Sequence, residues 1–537
     1  MCARKQCQNS TTNVIRMAKL TAKGGLHTFL GVSVSSVISA VGTIIIVRLL
    51  HPAQYGIYTV AIIPSILIIV FRDWGMNPAI IKHLAQYRSE NKTAEMKRVL
   101  ACGIMFESAI GMLLFLIFFF SASFLANEVF HRPEIEPLIR ISSIAIFAGA
   151  LLTVAQSTLI GFERMELNSL TMICQSTFKS IIAVLFVLAG YEALGAILGY
   201  ATGFVIAGIL GIAIVYMVFY KNLHKSNHYK SSLITTFKTM IRYGLPLSIS
   251  TILQGVLIQF LNFMMAIYCT DLIIGNYQAA VSFTVLITFF TTPIVTILFP
   301  AFSKLNPENE IQTLRTIFQS SVKYASLLTI PATMAIMILS KPLVFTLFGE
   351  KYNHAPLFLT LYIIINLYTA LGSLSLRNFL KGQGKTMVTM KLAFMTLAIG
   401  FPIGLLLIST FGILGLIATT LVSGLPSLAT GLWWSKKHFG VTVDWFSSIK
   451  ILTASATSGV VTHLILLQLN LPDWTNLIIG AVAFLMIYLT ITPLIGAINI
   501  NDINNLREML SGFGPASRLF NLLLIFIEKL TFLSKRK

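Results

Sequence analysis

A lysine in the middle of an apolar stretch is the first residue of this sequence that suggests chemistry. Lys179 lies near the centre of residues 167–190, and Asn168, Thr171 and Gln175 precede it at spacings of three or four. On a helix these four side chains share one face. Because charges inside apolar spans are costly and often functional, we predict that Lys179 and Gln175 line a water-filled cavity for an anionic headgroup.

Glu107 is the acidic residue that lies well inside an apolar stretch. A buried carboxyl can carry a proton at neutral pH, so Glu107 is a candidate for coupling transport to an ion. An alternative, equally open from the sequence, is a structural ion pair between Glu107 and Lys179. We expect Arg72 to pair locally with Asp73, and Lys323 to extend to the inner membrane surface.

Further polar residues lie at the ends or on the faces of apolar stretches. Arg48 ends the first stretch, where its guanidinium suits a phosphate group or simply the membrane interface. Arg377 ends the tenth, where lipid headgroups or an entering substrate are the expected contacts. Gln254, Gln259 and Asn262 lie on the seventh stretch, where they hydrogen-bond either a sugar or a neighbouring helix.

Patterns typical of enzymes and cofactor sites are missing from the sequence. The string Gly-Gln-Gly-Lys-Thr at 382–386 has only part of a nucleotide-binding loop. The five cysteines follow no metal or disulfide spacing. The sequence therefore predicts no cofactor, no metal and no catalytic residues.

The composition requires lipid as the solvent for most of the chain. Of 537 residues, 56% are hydrophobic and 11% charged, whereas soluble proteins carry about 25% charged residues. The net charge of +20 would suggest nucleic acid in a soluble protein, but cytoplasmic loops of membrane proteins also collect Lys and Arg. We predict a multi-pass protein of the cell membrane, in contact with membrane lipids and not with nucleic acid.

Apolar stretches long enough to cross a bilayer as helices, which takes about 20 residues, recur along the chain. About fourteen are expected, at residues 26–50, 55–71, 99–125, 138–160, 167–190, 193–220, 243–269, 272–299, 322–339, 355–376, 386–408, 411–434, 447–469 and 475–498.

The distribution of basic residues predicts the orientation. If the N-terminus is cytoplasmic, 33 of the 39 Lys and Arg residues fall on the cytoplasmic side, as the positive-inside rule requires. Both termini are then cytoplasmic. Residues 1–25 are expected to form a cytoplasmic tail, and residues 501–537 a second tail whose segment 515–533 forms an interfacial amphipathic helix.

An internal repeat predicts the arrangement of these helices. At an offset of 219 residues, Gly56 and Tyr58 correspond to Gly275 and Tyr277. Since each unit would contain six spans, the two units form a parallel repeat. The expected fold is an all-α integral membrane protein, with a first lobe at 26–225, a second at 226–440 and two appended helices at 441–500. Repeat transporters suggest a substrate site between the lobes.

Three motifs carry a resemblance to a known family. The segment Arg-Leu-Leu-His-Pro-Ala-Gln-Tyr-Gly-Ile-Tyr at 48–58 resembles the R-x-L-G-P-x-x-Y-G-x-Y signature of polysaccharide-type flippases. These belong to the multidrug/oligosaccharidyl-lipid/polysaccharide exporter superfamily. Residues 73–82 and 377–386 resemble the segments that follow the second and tenth spans of that family. His51 departs from the pattern, which often has glycine there.

The resemblance implies a function. Such proteins move polyprenyl-(pyro)phosphate-linked oligosaccharides from the inner to the outer leaflet by alternating access around a cationic cavity, alongside the glycosyltransferases or polymerase of a glycan pathway. The sodium site of related flippases needs acids on the seventh and eleventh spans, which this sequence lacks. Three alternatives are open: a cation-coupled multidrug antiporter, a polyprenyl-sugar glycosyltransferase, and a scaffold for glycan assembly.

Overall fold

The computed structural model describes residues 27–221, 232–288, 291, 298, 302–303, 305, 310–469, 471–511, 524–525 and 527–531. Throughout these residues the secondary structure is helical, as the sequence predicts. The chain divides into two compact units, Met1–Gly275 and Asn276–Lys537. The predicted lobe boundaries differ from this division and stay a prediction.

The helices of the first half follow one another with short connections. In chain order they are α1 (His27–Leu49), α2 (Pro52–Arg72), α3 (Met76–Ser89), α4 (Thr93–Phe124), α5 (Glu136–Gly161), α6 (Met165–Phe186), α7 (Glu192–Ile214), α8 (Leu233–Tyr268) and α9 (Asp271–Ser282).

The second half continues in the same manner. Its described helices are α10 (Ile311–Ile338), α11 (Ser340–Phe348), α12 (Ala355–Ile363), α13 (Ser373–Gly382), α14 (Thr386–Ser423), α15 (Leu425–Phe439), α16 (Trp445–Gln468), α17 (Asp473–Leu494) and α18 (Ile500–Ser511).

Nine helical segments of the described chain are long and apolar enough to cross a membrane, or ten if a pair bent by 56° forms one span. Two of the nine, Met165–Tyr220 and Thr386–Phe439, have 56 and 54 residues. A straight helix of that length would extend about 80 Å, whereas a bilayer core is about 30 Å thick. Each must therefore contain more than one crossing.

The first of these long segments is a helical hairpin. Its chain reverses near Gly190, which has a φ of +90° in the region that glycine alone enters easily. Gly199 of α7 lies against Ala183 of α6. Four residues later in α7, Gly203 lies against Lys179, which precedes Ala183 by four residues. The two helices are thus antiparallel, and small residues allow their backbones to approach closely.

The second long segment reverses in the same way near Gly412, where φ is +56°. Beyond the reversal, Gly415 lies against the backbone of Leu407. Further from it, the Thr396 hydroxyl donates to Ser427 Oγ at 2.8 Å. Two pairs of predicted spans therefore occur as the two legs of hairpins.

Two amphipathic helices flank the spanning ones and were not predicted from the sequence. One is α3, whose Met76, Ile80 and Leu84 are fully buried against α4 and α5. The other is α18, in a stretch that looked like a polar link. Most of the predicted interfacial helix at 515–533 lies outside the described residues.

Helix α18 changes the environment of Lys323 on α10. The Lys323 ammonium donates to Asp502 Oδ2 at 2.6 Å, and the Tyr324 hydroxyl donates to the other oxygen at 3.4 Å. The expectation that Lys323 extends to the inner membrane surface stays a prediction. Helix α18 packs over this part of α10 and supplies a carboxylate partner that was not predicted.

Candidate functional site

The first unit contains a buried ion pair at the junction of four helices. The Arg72 Nε lies 3.4 Å from Glu107 Oε2, and the two side chains are 3% and 0% exposed. Asn77 Nδ2 donates to the other Glu107 oxygen at 3.1 Å, and Ser157 Oγ donates to Asn77 Oδ1 at 3.0 Å. Helices α2, α3, α4 and α5 are joined through these groups.

The remaining donors of Arg72 bond helix α5. Nη1 donates to the Ile146 carbonyl at 3.1 Å, and Nη2 donates to the Gly149 carbonyl at 3.3 Å and to Thr153 Oγ1 at 2.8 Å. A buried charge needs a counter-charge and satisfied donors to be tolerated. Arg72 has the counter-charge, and its Nη1 and Nη2 donors are hydrogen-bonded, whereas Nε faces Glu107 at ion-pair distance without a hydrogen bond. The network links four helices through these contacts.

The network corrects two expectations about charge pairing. Arg72 pairs with Glu107, 35 positions away, and not with Asp73; Asp73 Oδ1 instead accepts from the backbone amides of Gly75 and Asn77 at the start of α3. The structural alternative in which Glu107 pairs with Lys179 is also wrong. The physical reason for both corrections is the same: helix packing brings Arg72 and Glu107 together although they are distant in the sequence.

Lys179 has a different environment from Arg72. Its side chain is half-buried on α6, its Cβ packs at Gly203 of α7, and its ammonium lies 5.9 Å from the centroid of the Tyr200 ring. Within the described part of the chain, Lys179 forms no ion pair. The Tyr200 ring is buried and lies edge to face with Phe204 at 5.2 Å.

The polar stripe on α6 divides along its length. Asn168 and Thr171 are buried, and Thr171 Oγ1 accepts from Gln156 Nε2 at 3.3 Å while donating to the Asn168 carbonyl at 2.8 Å. Gln175, like Lys179, is half-buried. Thr171 bridges α6 and α5, and the buried Asn168 Oδ1 has no hydrogen-bond partner among the described residues. Gln175 and Lys179 are the part of the stripe that is only half-buried.

The other predicted site residues are dispersed. Arg48 is exposed near the end of α1, and Arg377 is exposed on α13. Gln259 and Asn262 are half-buried on α8 and bond each other, with Asn262 Nδ2 donating to Gln259 Oε1 at 3.4 Å. The side chain of Gln254 lies outside the described residues.

The first motif, at 48–58, begins a helix and permits a close contact. His51 takes the place of the expected glycine and caps α2, its Nδ1 accepting from the Ala53 amide at 3.4 Å. A Cβ on Gly56 would overlap the Asp271 carbonyl, and a Cβ on Gly275 would overlap the Pro52 carbonyl. The two contacts are reciprocal under the 219-residue offset, which relates Pro52 to Asp271 and Gly56 to Gly275.

The other two motifs also form tight local structure. Gly75 begins α3 with a φ of +79° and lies against the backbone of Gly244. At 377–386, Gly384 has a φ of +66°, and Gln383 Nε2 donates to the Phe302 carbonyl at 2.6 Å. The glycines of these motifs therefore serve close approach and reversal of the chain.

Asn77, Thr153 and Ser157 are the residues of the network that sequence reasoning missed. Each is an ordinary polar residue within or beside an apolar stretch, and none carries a charge that would mark it. Among the described residues, no group of three or more His, Cys, Asp or Glu side chains is arranged to hold a metal ion.

Comparison with known proteins assigns the family. Residues 21–306 match the family model described as "Polysaccharide biosynthesis protein", and this match covers more than half of the chain. The chain belongs to this family. The resemblance that the three motifs suggested is thereby confirmed.

Several characterised proteins are similar to this member of the polysaccharide biosynthesis protein family. The lipopolysaccharide biosynthesis protein WzxC of Escherichia coli K12 is 24% identical over 349 residues, which is 62% of this chain and 67% of WzxC. The probable low-salt glycan biosynthesis flippase Agl15 of Haloferax volcanii is 20% identical over 255 residues, 46% of this chain and 52% of Agl15.

Solved structures establish the fold class. The lipid II flippase MurJ in an inward closed conformation matches with a TM-score of 0.70 at 15% identity, covering 87% of this chain and 97% of MurJ. An inward-facing multidrug resistance transporter of the MATE family matches with a TM-score of 0.63 at 15% identity, covering 77% and 98%. This family member therefore has the all-helical membrane fold of these transporters.

Proposed function

We propose that this protein is a flippase that moves a polyprenyl-(pyro)phosphate-linked oligosaccharide from the inner to the outer leaflet for glycan assembly. One observation carries the proposal. Among the described residues, Lys179 is a cation within a spanning helix that lacks a carboxylate partner, whereas Glu107 is neutralised by Arg72. Charges inside membranes generally serve a function, and the charge-assisted partner of an ammonium is an anion such as phosphate.

The names of the relatives agree with this substrate class. WzxC is a lipopolysaccharide biosynthesis protein, and Agl15 is a probable glycan biosynthesis flippase. A glycan attached to a lipid phosphate has an anionic link between its polar and apolar parts. The protein would act as a transporter and not as an enzyme, in keeping with the flippase named among its relatives.

The topology that we propose has fourteen crossings in the plasma membrane, with both termini cytoplasmic. The two hairpins supply four of these crossings, and the 33 basic residues on one side give the orientation. Transport would occur by alternating access. Glycosyltransferases or a polymerase would supply and consume the glycan.

Further residues are proposed to contact the substrate along its path. Gln175 lies one helical turn from Lys179 and is equally half-buried. Gln259 and Asn262 could exchange their mutual hydrogen bond for bonds to sugar hydroxyls, and Gln254 lies on the same helix. Arg48 is exposed near the end of α1 and Arg377 is exposed in the middle of α13, and we propose that a lipid phosphate contacts them as it arrives or leaves.

A cation-coupled antiporter of the same fold is less well supported. Such a transporter needs an acid that exchanges protons or sodium with solution. Glu107 has no exposed surface and already has Arg72 and Asn77 as partners. The coupling role of Glu107 stays a prediction, and the arrangement favours a structural one.

Substitution of Lys179 tests the proposal directly. In liposomes containing a lipid-linked oligosaccharide, Lys179→Gln should slow translocation by about tenfold or more, because a charge-assisted contact contributes about 1.5–3 kcal/mol. Lys179→Arg keeps the positive charge and should retain most of the rate. The measurement is the fraction of glycan that becomes accessible to a membrane-impermeant lectin over time.

The matched control is Lys92→Gln, which removes the same charge from an exposed position in the first unit. It should leave the rate unchanged. Equal rates for Lys179→Gln and the unsubstituted protein would refute the role of Lys179 as the anion contact. Absence of any translocation by the unsubstituted protein would refute the flippase proposal itself.

A further inference from the structure

A cleft of about 110 Å³ lies outside the Arg72–Glu107 network, between α3, α4 and the beginning of α8. Its lining residues are His83, Tyr87, Val99, Thr235, Thr236, Thr239 and Met240. His83, Val99 and Met240 are buried and form its floor, while the threonines form an accessible rim. By the proposed orientation, this cleft opens to the cytoplasm.

His83 is the unusual residue of this cleft. It is 7% exposed, yet neither ring nitrogen has a hydrogen-bond partner within the described residues. Leaving a buried polar group unsatisfied costs about 1–3 kcal/mol, and a buried polar atom in a native protein is usually bonded. Both ring nitrogens are buried in this structure, so the His83 ring must turn toward the cleft before a ligand there can supply the missing partners.

The chemistry of the lining groups defines that ligand. The α3 helix is outside the spanning segments, and burial, with a smaller effect of the neighbouring Lys82 charge, lowers the pKa of His83. A neutral imidazole offers one donor and one acceptor. The ligand should therefore donate as well as accept, which a hydroxyl does and a phosphate dianion does not.

The rim threonines have the same preference. Thr236 Oγ1 donates to the Ser232 carbonyl at 3.3 Å, and Thr239 Oγ1 donates to the Thr235 carbonyl at 2.9 Å. Their hydroxyl protons are thus occupied, and their lone pairs remain as acceptors. Acceptors on the rim favour a ligand with several hydroxyl donors over an anion.

One aromatic ring, that of Tyr87, lines the cleft beside His83, and a second, that of Tyr243, packs behind His83 outside the lining. The rings of His83 and Tyr87 stack at 5.9 Å, and Tyr243 meets His83 edge to face at 5.9 Å. The Lys82 ammonium lies 3.7 Å from the centroid of the Tyr243 ring, so its charge is directed onto that ring. An apolar ring face beside a few placed polar groups is the usual composition of a small-molecule site.

We propose that this cleft binds a sugar ring of the glycan headgroup on the cytoplasmic side, with His83 exchanging hydrogen bonds with its hydroxyl groups. This inference rests on the proposed flippase function for the identity of the ligand. A volume of 110 Å³ accommodates several water molecules, at about 30 Å³ each, or the hydroxyl-bearing edge of one sugar ring. The site would hold the headgroup before translocation.

Saturation-transfer NMR on the whole protein in lipid nanodiscs tests this. The probes are free glucose, galactose, mannose, rhamnose and N-acetylglucosamine, with inorganic phosphate in a separate arm; sugar-based detergents are excluded because they would compete. We expect at least one sugar to show saturation transfer. His83→Phe, which keeps a ring and removes both nitrogens, should weaken its binding about tenfold, and His83→Gln should restore part of it.

Two further variants keep the test decisive. Thr239→Val alters the rim without touching the buried floor and should also weaken sugar binding, so misfolding of His83→Phe would not end the test. His463→Phe makes the same replacement at an exposed histidine of α16 and should have no effect.

Three results would overturn the inference: no sugar binds, sugar binding is unchanged by both cleft variants, or phosphate alone binds through His83. The translocation assay in liposomes separates this from the proposed function. Translocation without sugar binding refutes only the cleft, whereas sugar binding without translocation refutes the flippase proposal.

Discussion

Two cations of the first unit, Arg72 and Lys179, differ in what surrounds them. Arg72 has a carboxylate and three oxygen acceptors on α5, so its charge is internal to the packing of the protein. Lys179 has an aromatic ring and no carboxylate among the described residues. Arg72 therefore contributes to the stability of the protein, whereas Lys179 is available for the proposed contact with the substrate.

Disrupting the Arg72–Glu107 pair should destabilise the protein. Removing one partner of a buried pair leaves the other charge uncompensated, which costs about 3–5 kcal/mol. We expect Arg72→Met and Glu107→Leu each to lower the melting temperature in detergent. The double variant should be less destabilised than the sum of the two, because it leaves no unpaired charge.

Strictly additive losses in the three variants would contradict the pairing. Glu107→Gln provides the control for coupling, because it removes the charge while preserving the shape of the side chain. If its translocation rate has the same pH dependence as the unsubstituted protein, Glu107 is structural. A lost pH dependence would support the coupling role instead.

At the scale of helices, the closest contacts depend on glycine. Gly56 of α2 and Gly275 of α9 each meet the other segment's backbone, and Gly75 meets Gly244. Because the hydrophobic effect does not drive helix association in lipid, helices depend on van der Waals packing. Small residues at such positions allow the backbones to approach closely enough for that packing. The glycines of the family motifs are thus explained by packing.

Alanine at these contacts should therefore be costly. A Cβ at Gly56 or Gly275 would overlap a backbone carbonyl, which cannot move as a flexible side chain could. We expect each substitution to destabilise the protein by about 1–3 kcal/mol, measured by thermal unfolding in detergent. Gly424→Ala is the control, because no atom lies within 4 Å of its Cβ position; equal effects at all three positions would exclude the packing explanation.

The sequence predicts the helices better than their contacts. Apolar length predicts helices long enough to cross a membrane, and nine such segments occur among the described residues, while the count of fourteen stays a prediction. The three motifs identify the family. The partner of Glu107 could not be predicted, because pairing across helices depends on how each helix is rotated against its neighbours, and one sequence does not specify this rotation. The roles of Asn77 and Ser157 could not be predicted for the same reason. Helix α18 was not predicted because a segment with so few apolar residues has the composition of a linker.

The candidate site was predicted less completely than the fold. Periodicity placed Lys179 and Gln175 on one face of α6, and both are half-buried there. The same periodicity grouped Asn168 and Thr171 with them, although these two are buried and Thr171 bonds Gln156 of α5. His83 gave no signal, since a histidine on an amphipathic helix is ordinary until its missing partners are seen in three dimensions.

At the scale of the whole molecule, the orientation can be tested by labelling. In a cysteine-free background, Ser89→Cys and Lys437→Cys should be protected from a membrane-impermeant maleimide in intact cells. Lys351→Cys and Trp474→Cys should react, because the positive-inside rule puts these two on the outer side. All four positions are exposed in the structure.

If the cysteines at 89 and 437 react in intact cells and those at 351 and 474 are protected, the orientation is the reverse of the one proposed. A mixed pattern within either pair would show that the number of crossings between the two positions is wrong. Permeabilised cells serve as the control, since all four positions should then react.

The reciprocal contact of Gly56 and Gly275 has an evolutionary consequence. Contacts of this kind, in which residue i meets j and the copy of i meets the copy of j, are the rule in symmetric homodimers. A half-length ancestor could have made the same contact with a second molecule of itself. A single substitution at that glycine would then have disturbed both copies of the contact in the dimer. If the predicted repeat arose by fusion of two gene copies, the fusion would have removed this constraint and allowed each half of the chain to diverge by itself.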